Sequence, residues 1–244
     1  MDINFADITI LVLCALTLLH PKMRAATLAR RWDGWILDTT SLINHFILLP
    51  TLQVLIAFRL YSYLFPSMKG MIDFGWVGSL GAYMAIDYTW YWNHRLFHAK
   101  TPLWNLHGVH HQPEDLDIFA SARNSLISPF FMVYFWLIPA VLFLAQDPMP
   151  FLAYAGVGLI INFWGHTRFN LPRGSMAYRA ATKIFVLPED HFWHHSAEQT
   201  YCNFGTVFNF WDKWHKTWHQ PGVMPRTLGY KDPMPLWKKV LFPW

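Results

Sequence analysis

Three tight clusters of histidine, spread over about a hundred residues, constrain this chain more than anything else in it. His94 and His98 stand four apart. His107, His110 and His111 follow, and His191, His194 and His195 repeat the same H-x-x-H-H spacing about eighty residues later. A ninth, His166, stands alone before the last cluster. Neutral imidazole is the commonest metal ligand in proteins. On a helix, positions i, i+3 and i+4 share a face, so each cluster can project its rings in one direction. Pro102 and Pro113 bracket the second cluster, and Pro188 with Glu189 and Asp190 opens the third as a helix start. A lone H-x-x-x-H more often marks a polar helix face. Two H-x-x-H-H copies beside it reverse that reading, and so many nitrogens exceed the needs of one ion. The expectation is two metals in one cage. His20, His45, His215 and His219 match no cluster. His20 reads as interfacial, His45 as a polar residue within a span, and the last two as surface or supporting residues.

Composition places the cage at a membrane. The chain has 244 residues, 54% hydrophobic and only 14% charged, against roughly 25% charged in an ordinary soluble domain. Its 14 Trp and 20 Phe suit long membrane interfaces. Cys14 and Cys202 are its only cysteines, so no disulfide framework is expected and a reducing compartment is compatible. The +4 charge fits a solvated face with membrane anchoring. No basic run interleaves with aromatics, so nucleic acid is not an expected partner.

Apolar stretches at 3–19, 35–58, 75–93, 126–145 and 149–165 are the expected spans, since about 20 apolar residues cross the hydrocarbon core. The second is interrupted by Asp38, Asn44, His45 and Pro50 and reads either as a kinked span or as a shallow interfacial helix. The first begins with Asp2 and Asp7 rather than basic residues, so it reads as a retained span and not a signal peptide. With the N-terminus outside, 17 of the 19 Lys and Arg fall on the cytoplasmic side, leaving Arg59 and Lys69 outside. Residues 126–165 then form a helical hairpin closed at Gln146-Asp147-Pro148, and an even number of crossings returns the chain to the face it left. All nine clustered histidines lie on one side. The expected fold is an all-α integral membrane bundle of four or five spans, with a cytoplasmic helical cap carrying the metal site. It divides into N-terminal membrane helices (1–74), a catalytic region (75–218) and a C-terminal tail (219–244), all in one structural unit.

Metal-bound imidazoles usually give their other N–H to a carboxylate or carbonyl. Asp87, Asp190 and Asp212 are the expected carboxylates. Asp87 lies two turns before His94, placed either to orient a ligand or to pair with an arginine such as Arg123. Asp212 is equally placed to cap or salt-bridge the C-terminal segment. Imidazole suits Zn, Cu, Fe and Ni alike, so spacing leaves the metal open. A zinc-dependent membrane hydrolase and a non-catalytic metal-binding or transport protein remain readings of the same residues, although few polar groups line the spans beyond the second.

The run from Asp87 to His111, D-x-x-x-Y-W-x-H-R-x-x-H followed by L-W-x-x-H-x-x-H-H, resembles the first two histidine boxes of the fatty acid hydroxylase / sterol desaturase superfamily. Pro188 to His195, with Asn203-Phe-Gly and Trp211-Asp212-Lys213, resembles its third box and C-terminal signature. The likeness covers roughly residues 75–218. It implies a di-iron centre, two Fe ions held by His94, His98, His107, His110, His111, His191, His194 and His195, with His166 matching the family's isolated histidine. It further implies O2-dependent hydroxylation of a lipid (fatty acyl, sterol, carotenoid or aminolipid), or desaturation in some members. No Rossmann, flavin or haem motif is evident in these residues, so electrons are expected from a separate ferredoxin or b-type cytochrome with its reductase. The chain departs from the pattern at Asn170, where some members carry a further histidine, and at His215-Lys216-Thr217, where many read Phe-Gly-Thr.

Overall fold

The computed structural model describes residues 5–244, and among them it is all-helical, with three isolated bridges and no strand. Five helices carry the architecture: α1 (Phe5–Leu19), α3 (Trp32–Leu64), α4 (Gly75–Ala99), α6 (Tyr134–Leu144) and α7 (Met149–Gly165), with α2 (Pro21–Leu28) and α5 (Thr101–Gly108) between them. Shorter helices follow: α8 (Met176–Ile184), α9 (Pro188–His194), α10 (Phe210–His215) and α11 (Leu236–Leu241).

Side-chain contacts fix the directions of the five. Ala6 of α1 faces Gly156 of α7, and Ile10 shares a core with Phe163. Trp76 packs on Tyr154, so α1, α4 and α7 run the same way. In α3 and α6 the sense is opposite: Gln53 donates to the Tyr134 carbonyl, and one end of each helix meets where Tyr61 packs on Phe143. The five helices thus alternate in direction along the chain. The hairpin turn falls at the expected Gln-Asp-Pro, where Asp147 accepts the Met149 N–H at 2.9 Å.

Helix lengths depart from the sequence reading. Among the described residues only α3 is by itself both long and apolar enough to cross a membrane. α1 and α2 would do so as a pair but are bent by 92°, at His20, whose ring caps α2 by accepting the Met23 N–H. Residues 126–133 are largely 3-10 turn and loop, which leaves α6 with 11 residues, about 16 Å at 1.5 Å per residue. That is short of a roughly 30 Å hydrocarbon core. α4 extends to Ala99, beyond the expected 93, and carries buried Asp87 and Tyr91 among its apolar residues. α3 is neither sharply kinked nor split. Pro50 lacks the N–H for a helical bond and crowds the preceding turn, and the helix accommodates it with π segments at Asn44–Leu48 and Gln53–Phe58. Leu11, Ile47, Val54, Tyr63 and Val77 are all exposed, an apolar rim unlike that of a soluble monomer.

A buried charge network fastens the N-terminal helices to the loop after the second cluster. Asp38 is fully buried and accepts from Arg30 Nη1 and Arg123 Nε, each at 2.5 Å. Arg30 Nη2 also meets Asp117 at 2.8 Å, and Thr27 donates to the same carboxylate at 2.7 Å. Two arginines thus face two aspartates. Arg30 and Arg123 are therefore structural partners and not free cytoplasmic charges, which weakens their part in the charge-bias argument. Removing one partner of such a pair strands the other charge, at a cost of about 3–5 kcal/mol. Asp38→Ala should lower stability by about that amount in detergent-solubilised thermal unfolding. A change below about 1 kcal/mol would show the network to be marginal.

Candidate metal centre

All nine clustered histidines meet at one end of the bundle. The first cluster comes from the last turns of α4, the second from α5 and the 3-10 turn after it, His166 from the end of α7, and the third from α9. They sort into two groups, each with its nearest ring nitrogens within 4.8 Å of one another. His94, His98, His107, His111 and His194 form one; His110, His166, His191 and His195 form the other. The groups adjoin, His111 and His195 stacking at 4.3 Å between centroids. Each H-x-x-H-H cluster is divided between the two groups, which the spacing alone did not reveal.

The hydrogen bonds fix which nitrogen each ring offers. Nδ1 of His94 lies 2.8 Å from the Phe204 carbonyl, that of His166 2.8 Å from Asn162 O, and that of His194 2.8 Å from Cys202 O. His110 Nδ1 lies 3.2 Å from Arg123 O. A carbonyl only accepts, so each of these Nδ1 atoms carries the proton and each Nε2 presents a lone pair. Yet Nε2 of His166 and Nε2 of His110 face each other at 3.4 Å, two acceptors with nothing to share. Nε2 of His94 lies 2.8 Å from that of His107, which lies 3.1 Å from that of His111. Nε2 of His191 is 3.0 Å from His166 and 3.1 Å from His195, and Nε2 of His194 is buried without a hydrogen-bond partner.

A second proton on each ring does not relieve this crowding. Burial, reinforced by the neighbouring imidazoles, holds His107, His110, His111, His191, His194 and His195 well below the ordinary histidine range. The rings are neutral at pH 7, the form that binds metal. With metal–nitrogen bonds of about 2.0–2.1 Å, two ligands of one ion stand about 3.0–3.4 Å apart. The donor set therefore fits two metal ions, one per group.

Of the three carboxylates, Asp87 and Asp190 act differently from expectation, and Asp212 ties down the C-terminal segment, one of its two expected roles. Asp87 neither touches a cage histidine nor pairs with Arg123; it accepts the Trp211 indole N–H at 2.8 Å, while Arg123 goes to Asp38. Asp190 caps α9 by accepting the Leu187 N–H at 3.0 Å and is met by Gln220 at 3.1 Å. Asp212 accepts from Phe204 N, Gly205 N and Thr217 Oγ1 at 2.8, 2.7 and 2.6 Å. It thereby holds the loop whose Phe204 carbonyl orients His94. The partners of the ligands are main-chain carbonyls, one bond further in. In the Asn203-Phe-Gly signature, Asn203 takes φ +52°, a left-handed conformation asparagine tolerates. A Cβ on Gly205 would lie 2.5 Å from the Phe208 carbonyl. Asn170 is exposed and in neither group, and His215 and His219 pack on Tyr88 and Trp193.

A cavity of about 810 Å³ opens from the cage, with His94, His107, His110, His166 and His191 at one end. Its lining follows α7 from Met149 to His166 and includes Phe5, Ile86, Leu152 and Val157. Trp90 stacks on His94 at 5.4 Å and donates its indole N–H to Thr206. On the other side of the cage a smaller cavity of about 200 Å³ touches His98, His111, His194 and His195 and is covered by Gly229 and Tyr230. The stretch after residue 218 is thus part of the site's wall, with Gly229 N donating to His195 O at 3.3 Å and Trp193 to Val223 O at 2.7 Å.

Fold and site together define a helical protein with a two-group histidine cage at the floor of a long, mainly apolar cavity. The chain belongs to the fatty acid hydroxylase family, whose model matches residues 79–217. It is 27% identical to human (Homo sapiens) alkylglycerol monooxygenase over 54% of its length, and 30% identical to ornithine lipid hydroxylase OlsE of Rhizobium tropici over 59%. The matched stretches span only 28% and 40% of those two relatives. No solved structure matches it.

The two groups predict separable metal losses. His166→Ala should empty the second group while the first retains its ion, and His98→Ala should do the reverse. Metal-to-protein ratios by plasma mass spectrometry would measure this; equal loss of both ions in every variant would show one indivisible cluster instead. Asp212→Ala, which frees the Phe204 loop, should weaken metal affinity by about 10–100-fold without removing a ligand, measured by chelator competition.

Proposed function

We propose that this protein is a multi-pass membrane oxygenase that hydroxylates a C–H bond of a lipid, using O2 and externally supplied electrons. The observation that carries the reading is the opening of the histidine cage onto the long apolar cavity. His94, His98, His107, His111 and His194 would hold one iron, and His110, His166, His191 and His195 the other. Two irons bound there would supply reduction of O2, so that the lipid C–H, O2, two electrons and two protons yield an alcohol and water.

The protein's own residues account for the remainder. The apolar walls along α7 hold an alkyl chain and exclude water from the reacting carbon. His94, His107, His110, His166 and His191 face that chain directly, so the carbon presented at the cage end is the one oxidised. The main-chain carbonyls of Phe204, Arg123, Asn162 and Cys202 keep four Nε2 lone pairs aimed inward. The exposed apolar rim of α1, α3 and α4 supports immersion in lipid, from which an apolar substrate would enter. The basic residues favour the cage lying at the cytoplasmic end. Electrons would arrive from a ferredoxin or b-type cytochrome system.

The relatives named for monooxygenase and hydroxylase chemistry favour hydroxylation over desaturation, and lipids with a polar head over simple hydrocarbons. Lipid mass spectrometry of cells with and without the protein tests both points. The expected product is about 16 mass units heavier than its precursor, appears only under O2, and is lost with His107→Ala or His194→Ala. A product two units lighter would assign desaturation. Activity that needs only zinc and no O2 would overturn the reading in favour of a hydrolase.

A further inference from the structure

Among the described residues, the smaller cavity shares none of its lining with the large one, so the cage stands between them. Its volume of about 200 Å³ has room for an ion with a few of its waters, at about 30 Å³ per water. His98, His111 and His194 of the first metal group and His195 of the second form its inner wall. Among the described residues, Nε2 of His98 and Nε2 of His194 are buried without a hydrogen-bond partner. The outer wall is surface: Ala197 and Thr200 are exposed, and Gly229 and Tyr230 are half-buried. One layer of residues separates ligands of both groups from solvent.

Residues 226–232 form a strap over this cavity, tied to both H-x-x-H-H clusters. On the side of the third cluster, Glu198 Oε1 accepts the Arg226 and Thr227 N–H groups at 2.6 and 3.0 Å, and Gly229 N donates to His195 O. On the side of the second, Gln112 donates to Asp232 at 3.2 Å, and Tyr230 packs on Trp104 at 5.8 Å. Gly229 takes φ +71°, and a Cβ there would lie 2.5 Å from Pro113 O and 2.6 Å from Gln112 O. Glycine is what lets the strap pass so close. A segment held by a few solvent-exposed main-chain bonds belongs to the low-stability end of a fold, and it opens without unfolding the core.

A buried metal centre needs an entry path. A hydrated divalent cation that enters an apolar space gives up its water with nothing to replace it. The large cavity, walled by Phe5, Leu152 and Val157 away from the cage, is therefore a costly route. The small cavity passes from surface to imidazole nitrogen directly. We infer that it is the port through which metal ions enter and leave the cage, with the Gly229–Tyr230 strap as its cover. His98 and His194 offer their unpartnered nitrogens to an ion arriving for the first group, and His195 gives the second group the same approach. The strap lies outside the segment that matches the family, residues 79–217. The port concerns loading alone, whatever reaction the loaded centre performs.

Cobalt(II) is a suitable probe, because its absorbance reports imidazole ligation. Stopped-flow measurements on the full chain in lipid nanodiscs would follow cobalt loading of chelator-stripped protein, and its release from loaded protein into excess EDTA. Tyr230→Ala should speed both by about tenfold or more and leave the equilibrium affinity within about threefold. Gly229→Ala, which forces the strap off Pro113, should act in the same direction. Ala197→Trp, on the exposed rim, should narrow the mouth and slow both steps, and it keeps the test available if thermal unfolding shows a strap variant to be misfolded. Hexadecane in the large cavity should leave loading unchanged. Unchanged rates in the folded variants overturn the inference. Faster release with no faster loading and a matching loss of affinity also overturns it, since the strap would then only brace the cage. Loading slowed by hexadecane would overturn it by routing the ion through the large cavity.

Discussion

Everything at the functional end depends on lone pairs that have no proton to point at. Four imidazoles are locked with Nδ1–H on main-chain carbonyls; the Nε2 atoms of His94, His110 and His166 are packed against those of their neighbours, and that of His194 is buried without a partner. Such a set is repulsive until a cation enters it. The cost is carried by the rest of the fold: the helical alternation brings the clusters together, and the buried ion network and the Asn203–Gly205 loop keep the carbonyls in place. Arg123 joins these two tasks in one residue, its side chain on Asp38 and its carbonyl on His110. Perturbing Asp38 in the third helix therefore reaches His110 of the cage through a single residue.

The cage was legible in the sequence because its signal is local. H-x-x-H-H survives any uncertainty in helix ends, and counting crossings suffices to put the clusters on one side. His166 could be named for the same reason, as the first residue past an apolar helix. Partition into groups of five and four was not legible, because each H-x-x-H-H cluster contributes to both. Asp87 was misread for a related reason. Asp87 is correctly spaced to face His94, but its neighbour in space is Trp211, more than a hundred residues on. Orientation by main-chain carbonyls leaves no residue type to find, since any side chain can stand above a carbonyl.

Span boundaries failed where apolar composition and helical geometry part company. Residues 126–133 are apolar enough to read as membrane helix, but they fold as turns that carry Ser128 and Met132 into the core beside the second cluster. In the other direction, Asp38, Asn44, His45 and Pro50 looked like interruptions of the second span. Three of them have a use in an unbroken helix: Asp38 pairs with two arginines, Pro50 falls between the π segments, and His45 faces the cavity. Polar residues in an apolar run mark what the helix touches more than where it ends.

A cage of imidazoles alone has an electrostatic consequence. All nine rings are neutral donors, so two divalent cations would bring their whole charge into a buried site. Compensation has to come from beyond the ligands. Asp212 is one hydrogen bond behind the Phe204 loop, and Asp190 anchors the start of the helix that bears His191, His194 and His195. Both are buried, and neither pairs with a lysine or arginine at salt-bridge distance. Burial raises both carboxyls above the ordinary range, and a cation at the centre would favour their charged form. Direct ligation would neutralise the metals at once and fill positions around them, whereas carboxylates set one shell back stabilise the bound ions and leave the cavity side to neutral nitrogen. Among the described residues, the acidic side chain that lines the cavity is Asp87, held by the Trp211 indole.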